Sequence, residues 1–360
     1  MLKHATRLIL IASLLVLGIA AAAQDTTATT TVGLGESEEL GSFLVDSEGM
    51  TLYSFDRDAV GVSNCYERCA EAWPPLLVES ADSLTAAEGI PGTLGTAERT
   101  DGALQVTYNG APLYYWWEDE AAGDTNGHGV GNVWWVVPPA TVSSLRIPEL
   151  GSSLVGPNGM TLYIFTNDTQ GEASACYDNC AVAWPPLLAE SADDIVAGGN
   201  LNAELGTIER TDGTLQVTYN GWPLYYWQDD AAIGDATGEG RNDVWFTVAQ
   251  NTVAVSNSEE LGDFLVAPSG MTLYMFSNDT EGVSNCTEGC AEAWPPYTVF
   301  EDSRLTAPEG VAGELGTIER ENGALQVTYN GMPLYFFQND AAVGDTTGQG
   351  ANDVWWVVAP

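Results

Sequence analysis

A tandem repeat governs what this chain can fold into. "GMTLYSFDRD", "GMTLYIFTND" and "GMTLYMFSND" begin at Gly49, Gly159 and Gly270, and "LQVTYNG" ends at Gly110, Gly221 and Gly331. Self-similarity at a fixed period means copies of one structural unit, not a single large core. The units are placed at 37–139, 147–250 and 256–360, with short joints around "ATVSSLRIP" and "NTVAVSN". Each unit repeats again within itself. The shared frame is G-x-x-L-Y-x-(F/W)-x-x-D, and each half closes on tryptophan near proline or at "VWWVV". In the first unit Tyr53, Phe55 and Asp58 answer Tyr114, Trp116 and Asp119. In the second, Tyr163, Phe165 and Asp168 answer Tyr225, Trp227 and Asp230; in the third, Tyr274, Phe276 and Asp279 answer Tyr335, Phe337 and Asp340.

Local patterns within a unit read as β-structure. "LQVTYNGAPLYYW" sets β-branched and aromatic residues either side of Asn-Gly, a strong hairpin signal. "ERTDGALQV" reads as a second hairpin around Asp-Gly, "SFLVDSEGMTLYSF" as a third, and "VWWVV" as a closing strand. Only the cysteine segment suggests helix, a turn or two ended by Trp-Pro-Pro. The expected fold is mainly β: three tandem compact antiparallel domains, each a pseudo-twofold pair of half-repeats with one short disulfide-stapled helix. The alternative is a six-bladed propeller. Against it, cysteine pairs occur only in alternate halves.

Residues 1–23 read as a signal peptide. Lys3 and Arg7 precede the apolar run "LILIASLLVLGIA", and "AAAQ" offers cleavage after Ala23. That run is short for a bilayer span, and no later segment is apolar enough for one. Residues 24–36, polar and Thr-rich, read as a flexible leader. Without the signal, 8 basic residues, all arginine, stand against 50 acidic ones, a net charge of −42. Such a field repels nucleic acid and anionic membrane surfaces. It suits a saline medium or a surface that collects cations. With 45% hydrophobic and 10% aromatic residues, the chain is still rich enough to build cores.

The frame, the run "C-x-x-x-C-A-x-x-W-P-P" and "QVTYNG-x-PLYY…GDxxGxG…W" together resemble a bacterial family of secreted repeats and lipoproteins marked by Y-x-(F/W/Y)-x-x-D. The resemblance spans all three units. It implies export and repetition, and no activity, since the family's function is unassigned. The chain departs from the pattern in lacking a lipid-attachment cysteine. It also has Ala111, Trp222 and Met332 where members often carry histidine, which speaks against a histidine-based metal or haem role.

Cys65 and Cys69, Cys176 and Cys180, and Cys286 and Cys290 are the six cysteines. Zinc needs about four ligands, and His128 is the lone histidine after the signal. A thioredoxin-like centre would be C-x-x-C in a βαβ setting. In an exported chain a local disulfide in each unit is the default. Helical spacing separates the two Cβ atoms by ~5–6 Å, so the helix must break at one end. The arginines Arg99, Arg210 and Arg320 keep register, and they are expected to pair with the frame aspartates. The acidic glycine loops hold Asp119 and Asp124, Asp230 and Asp235, and Asp340 and Asp345, each pair five apart. They read as solvated turns, with calcium as the alternative.

No repeated catalytic set exists, since His128 has no counterpart in the other units. The expected function is a secreted, non-catalytic binding or scaffold module of the cell envelope or medium, with an unidentified partner. The alternatives are an extracellular calcium-binding or electron-transfer accessory protein, and a glycan-active hydrolase.

Overall fold

A computed structural model describes residues 32–198, 201, 204–301, 303–308 and 310–360. Residues 1–23, read above as a signal peptide, and residues 24–31, read as leader, lie outside them. Three units with one order of elements follow each other along the chain. In the first, β1 (Gly33–Ser37) and β2 (Gly41–Val45) form a hairpin, and β3 (Tyr53–Phe55) leads to helix α1 (Arg68–Ala72) and the short β4 (Leu77–Val78). A second hairpin of β5 (Leu94–Glu98) and β6 (Leu104–Tyr108) follows, and β7 (Ala111–Pro112) and β8 (Trp134–Val136) end the unit. The sheets are small and antiparallel, and the six half-repeats fall into three pairs instead of forming propeller blades.

The turn residues account for two of the three expected hairpins. Asn109 and Gly110 both take positive φ, 50° and 81°, as a two-residue primed turn requires, and Tyr108 pairs with Ala111 across them. Gly102, at φ 83°, turns β5 into β6. The third hairpin is short: Val45 bridges Thr51, and the Asp46 amide donates to the Met50 carbonyl and the Leu52 amide to the Leu44 carbonyl, both at 2.9 Å. It does not extend into β3, which pairs with β8, Tyr53 opposite Val136 and Phe55 opposite Trp134. The cause is an exchange of closing strands. β4, at the end of the first half, pairs with β6 of the second, and Pro75 bridges Tyr114. Neither half covers its own frame, so a half-repeat cannot stand alone as a blade.

The units also begin earlier than the sequence places them. β1 takes residues assigned to the leader, and the two joints supply its equivalents, Ser143–Ile147 and Ala254–Ser258. Val32, Val142 and Val253 are fully buried at the three starts. The β1 strand alternates half-buried with exposed residues and carries two glycines, so its own composition hides it; pairing with β2 reveals it.

Two clusters make up each unit's core. One is aliphatic, built on Leu44, Leu52, Val106 and Leu113 in the first unit. The other is aromatic and lies on the pseudo-twofold axis, with Tyr53, Trp73, Tyr114 and Trp134.

Candidate functional site

The frame residues meet across the pseudo-twofold axis. Tyr53 and Tyr114 exchange backbone hydrogen bonds at 2.9 Å in both directions. Their hydroxyls then cross: Tyr53 donates to Asp119 at 2.6 Å, and Tyr114 donates to Asp58 at 2.7 Å. The crossing recurs as Tyr163 to Asp230 and Tyr225 to Asp168, then Tyr274 to Asp340 and Tyr335 to Asp279. The aromatic frame position stacks in the same crossed sense. Phe55 lies on Trp134 at 4.1 Å, Trp134 on Trp73 at 3.9 Å, and Trp73 on Trp116 at 4.2 Å. The same four-ring column runs from Phe165 to Trp227 and from Phe276 to Phe337. One hydrogen-bonded, stacked interior thus explains why tyrosine, an aromatic and aspartate recur at this spacing.

Burial sets the protonation of these acids. It pushes the Asp58 carboxyl up to about 7, although hydrogen bonds from Tyr114 and the Asn64 amide oppose the shift. Asp119, Asp168, Asp279 and Asp340 are also raised by burial. The tyrosine hydroxyls are held well above their ordinary range, by burial first and by the neighbouring carboxylates second.

The register arginines do not pair with the frame aspartates, contrary to expectation. Arg99 donates to Gln105 at 2.6 Å, to Ser63 at 2.9 Å and to the Cys65 carbonyl at 2.8 Å, with its guanidinium over the Tyr66 ring. Arg210 and Arg320 hold Gln216 and Gln326, and the carbonyls of Cys176 and Cys286, in the same way. A guanidinium has five donors in a planar fork, and the buried glutamine and the carbonyl fit it, while tyrosine takes the acid. That carbonyl belongs to the first cysteine of each disulfide. Cys65–Cys69, Cys176–Cys180 and Cys286–Cys290 close with Cα atoms 5.2 Å apart. The first cysteine precedes the helix, and Glu67, at φ 51°, breaks the helical path between the two. The staple sets Trp73, at the helix end, into the ring column.

The acidic glycine loops fold onto their own backbone. Asp124 accepts from the Glu120 and Ala121 amides at 3.0 and 2.9 Å, and Asp235 and Asp345 do the same. Asp119, Asp230 and Asp340 point inward to the tyrosines instead, so each Asp-x4-Asp pair diverges. Gly127 is there for space: a Cβ would meet Trp73 at 2.8 Å. Among the described residues, no group of three or more His, Cys, Asp or Glu could hold a metal ion.

Where the three units meet they line a partly open cavity of about 850 Å³. Ligand sites span ~300–1,000 Å³. One arginine from each unit lines it, and each reaches another unit. Arg57 donates to Thr298 at 3.3 Å, and Arg304 donates to Thr247 at 2.9 Å and pairs with Glu239 at 3.5 Å. The Arg146 guanidinium lies 4.1 Å over the Phe300 ring. Two further hydrogen bonds join the first unit to the second: the Val60 backbone amide to the Arg146 carbonyl at 3.1 Å, and the Asn109 side-chain amide to the Pro157 carbonyl at 3.0 Å.

None of these arginines keeps register. Arg57 stands where the other units have Asn167 and Asn278, Arg146 where they have Glu36 and Asn257, and Arg304 where they have Ser83 and Asp194. The third unit's "YTVFEDSR", from Tyr297 to Arg304, replaces "LLVESADS" and "LLAESADD". A search for repeated chemistry passes over these positions; their departure from the repeat is the signal that marks them in the sequence.

A family model described as a secreted repeat of unknown function matches the chain six times, over 37–77, 95–138, 144–188, 206–249, 256–298 and 316–359. These are the half-repeats. Phe300, Glu301, Ser303 and Arg304, which line the cavity, fall in the interval between the fifth and sixth matches. No curated protein and no solved structure matches the chain.

Proposed function

We propose that this chain, which belongs to the family of secreted repeats of unknown function, acts outside the cell as a non-catalytic binding module whose ligand sits in the cavity between its three units. The observation that carries this reading is a division of labour. Residues that repeat in all three units are spent on the interior: the tyrosine–aspartate crossings, the ring columns, and the arginines behind the disulfides. The cavity is lined in large part by residues that differ between units, and it takes all three units to build it. The acids of the frame support a non-catalytic role, because tyrosine hydroxyls and backbone amides occupy their oxygens.

Blocking the cavity tests the reading. Ser144 lines it from a hairpin strand of the second unit, and Ser144→Trp fills it. Native mass spectrometry of the secreted protein recovered from its growth medium should show one small molecule retained, chemically unchanged, by the wild type and lost by the variant. Retention equal in both, no retention in either, or a processed molecule would overturn the proposal.

A further inference from the structure

We infer that the cavity is built for a neutral, hydroxyl-rich ligand with apolar ring faces, that is, a short uncharged oligosaccharide. This rests on the reading of the cavity as the ligand seat. The first observation is charge. Over the chain beyond its signal, acids outnumber bases 50 to 8, yet three of those eight arginines line this one cavity. Arg57, Arg146 and Arg304 share the lining with Asp56, Asp58, Glu301 and Glu319, three cations to four acids. The lining is close to balanced where the surface is strongly negative. An anion would be repelled on approach. A cation would find richer carboxylate surface elsewhere.

The second observation is the kind of polar group. Guanidinium and amide groups donate, and carboxylates accept, side by side around one space. A sugar hydroxyl both donates and accepts, so it uses such a mixture, whereas a carboxylate or an ammonium ligand uses only half of it.

The third observation is where the units diverge. Tyr297 and Phe300 replace Leu76 and Glu79 of the first unit, and Leu187 and Glu190 of the second. These rings, with Pro295 and Pro296, add flat apolar wall to the cavity. A pyranose presents apolar C–H faces between its equatorial hydroxyls, and aromatic rings are the usual match for such a face.

The experiment is isothermal titration of the full mature protein with cellotetraose, xylotetraose, maltotetraose and chitotetraose as neutral probes. Tetragalacturonate serves as the acidic probe and benzyl alcohol as the apolar one. The expected result is binding of at least one neutral tetraose and not of the other two probes. That binding should weaken at least roughly tenfold in Ser144→Trp and in the double variant Phe300→Glu, Glu301→Ser. The double variant carries residues that the first unit already has at those positions, Glu79 and Ser80, and its circular dichroism should match wild type. Binding of only the acidic or only the apolar probe, blocked by Ser144→Trp, would overturn the ligand class and leave the cavity reading standing. Neutral binding undiminished in both variants, or no binding by any probe, would overturn both.

Discussion

Exchanging Asp58 for asparagine probes the chemistry at the centre of the first unit. Asp58 is 5% exposed, and burial lifts its carboxyl from 3.8 to about 7. The folded chain therefore holds this proton more tightly than the unfolded chain does. The resulting stabilisation is fully present below pH 3.8 and is lost as pH rises through about 7. At ~1.36 kcal/mol per pH unit, the difference between the two ends is on the order of 4 kcal/mol. The surrounding network accommodates the neutral form. A protonated Asp58 can donate to the Tyr114 hydroxyl, which turns its own proton to Ser63 Oγ at 2.8 Å. Asparagine offers an amide donor in the same place and has no charge to bury. Urea unfolding from pH 4 to pH 8 at one ionic strength is the assay. Wild type and Asp58→Asn should be nearly equal in acid, and the variant should become the more stable of the two as pH rises, by a few kcal/mol at pH 8. A difference that stays constant across this range, or a variant that is less stable at pH 8, would refute the assignment of burial as the controlling cause.

The register arginines should outweigh the others in stability. Arg210→Ala strips the donor from Gln216 and from the Cys176 carbonyl in a buried site, at a cost of ~2–5 kcal/mol, whereas exposed Arg241, over the Trp227 ring at 4.3 Å, should cost ~0.5–1 kcal/mol; equal denaturation midpoints would contradict this. Millimolar calcium should stabilise the protein no more than sodium chloride of matched ionic strength, because the Asp124, Asp235 and Asp345 carboxylates already accept from the backbone. A calcium-specific shift in melting temperature, abolished by changing all three to asparagine, would sink that expectation. Arg304→Ala should loosen the second unit from the third, seen as a larger radius of gyration in solution scattering with unchanged circular dichroism; an unchanged radius would count against the arginine as a joint.

The fold was legible where its causes are local. Asn109-Gly110 states its own dihedral angles, and the period of the repeat states the number of units. Legibility failed where partners are remote. Opposite charge suggested Arg99 for Asp58, but the chain crossing delivers Tyr114 to that acid from 56 residues away, and nothing near either residue encodes the crossing. β1 was missed for a similar reason, since its burial depends on β2 and on Val32 packing against the core. The candidate site was illegible in a different way. Its residues are the ones that break the repeat, and a search for repeated chemistry passes over them.

That last failure carries a general consequence for a chain of this kind. Three copies in one sequence form an internal comparison, and the structure gives its terms a physical meaning. Positions kept in all three units, such as Tyr53, Tyr163 and Tyr274, look inward and meet identical surroundings three times. A position facing another unit need not have identical surroundings: Arg57 of the first unit meets Thr298 of the third, and Arg146 of the second meets Phe300 of the third. Asn109 shows the limit of the rule: it is matched by Asn220 and Asn330, serves the same turn in each unit, and in the first unit also reaches the Pro157 carbonyl of the second. Phe300, standing where Glu79 and Glu190 stand, shows its use. A glutamate tolerated at that position in two units means that the unit's own packing does not demand a phenylalanine. Its reason must lie beyond the unit, and what lies there is the Arg146 guanidinium and the cavity.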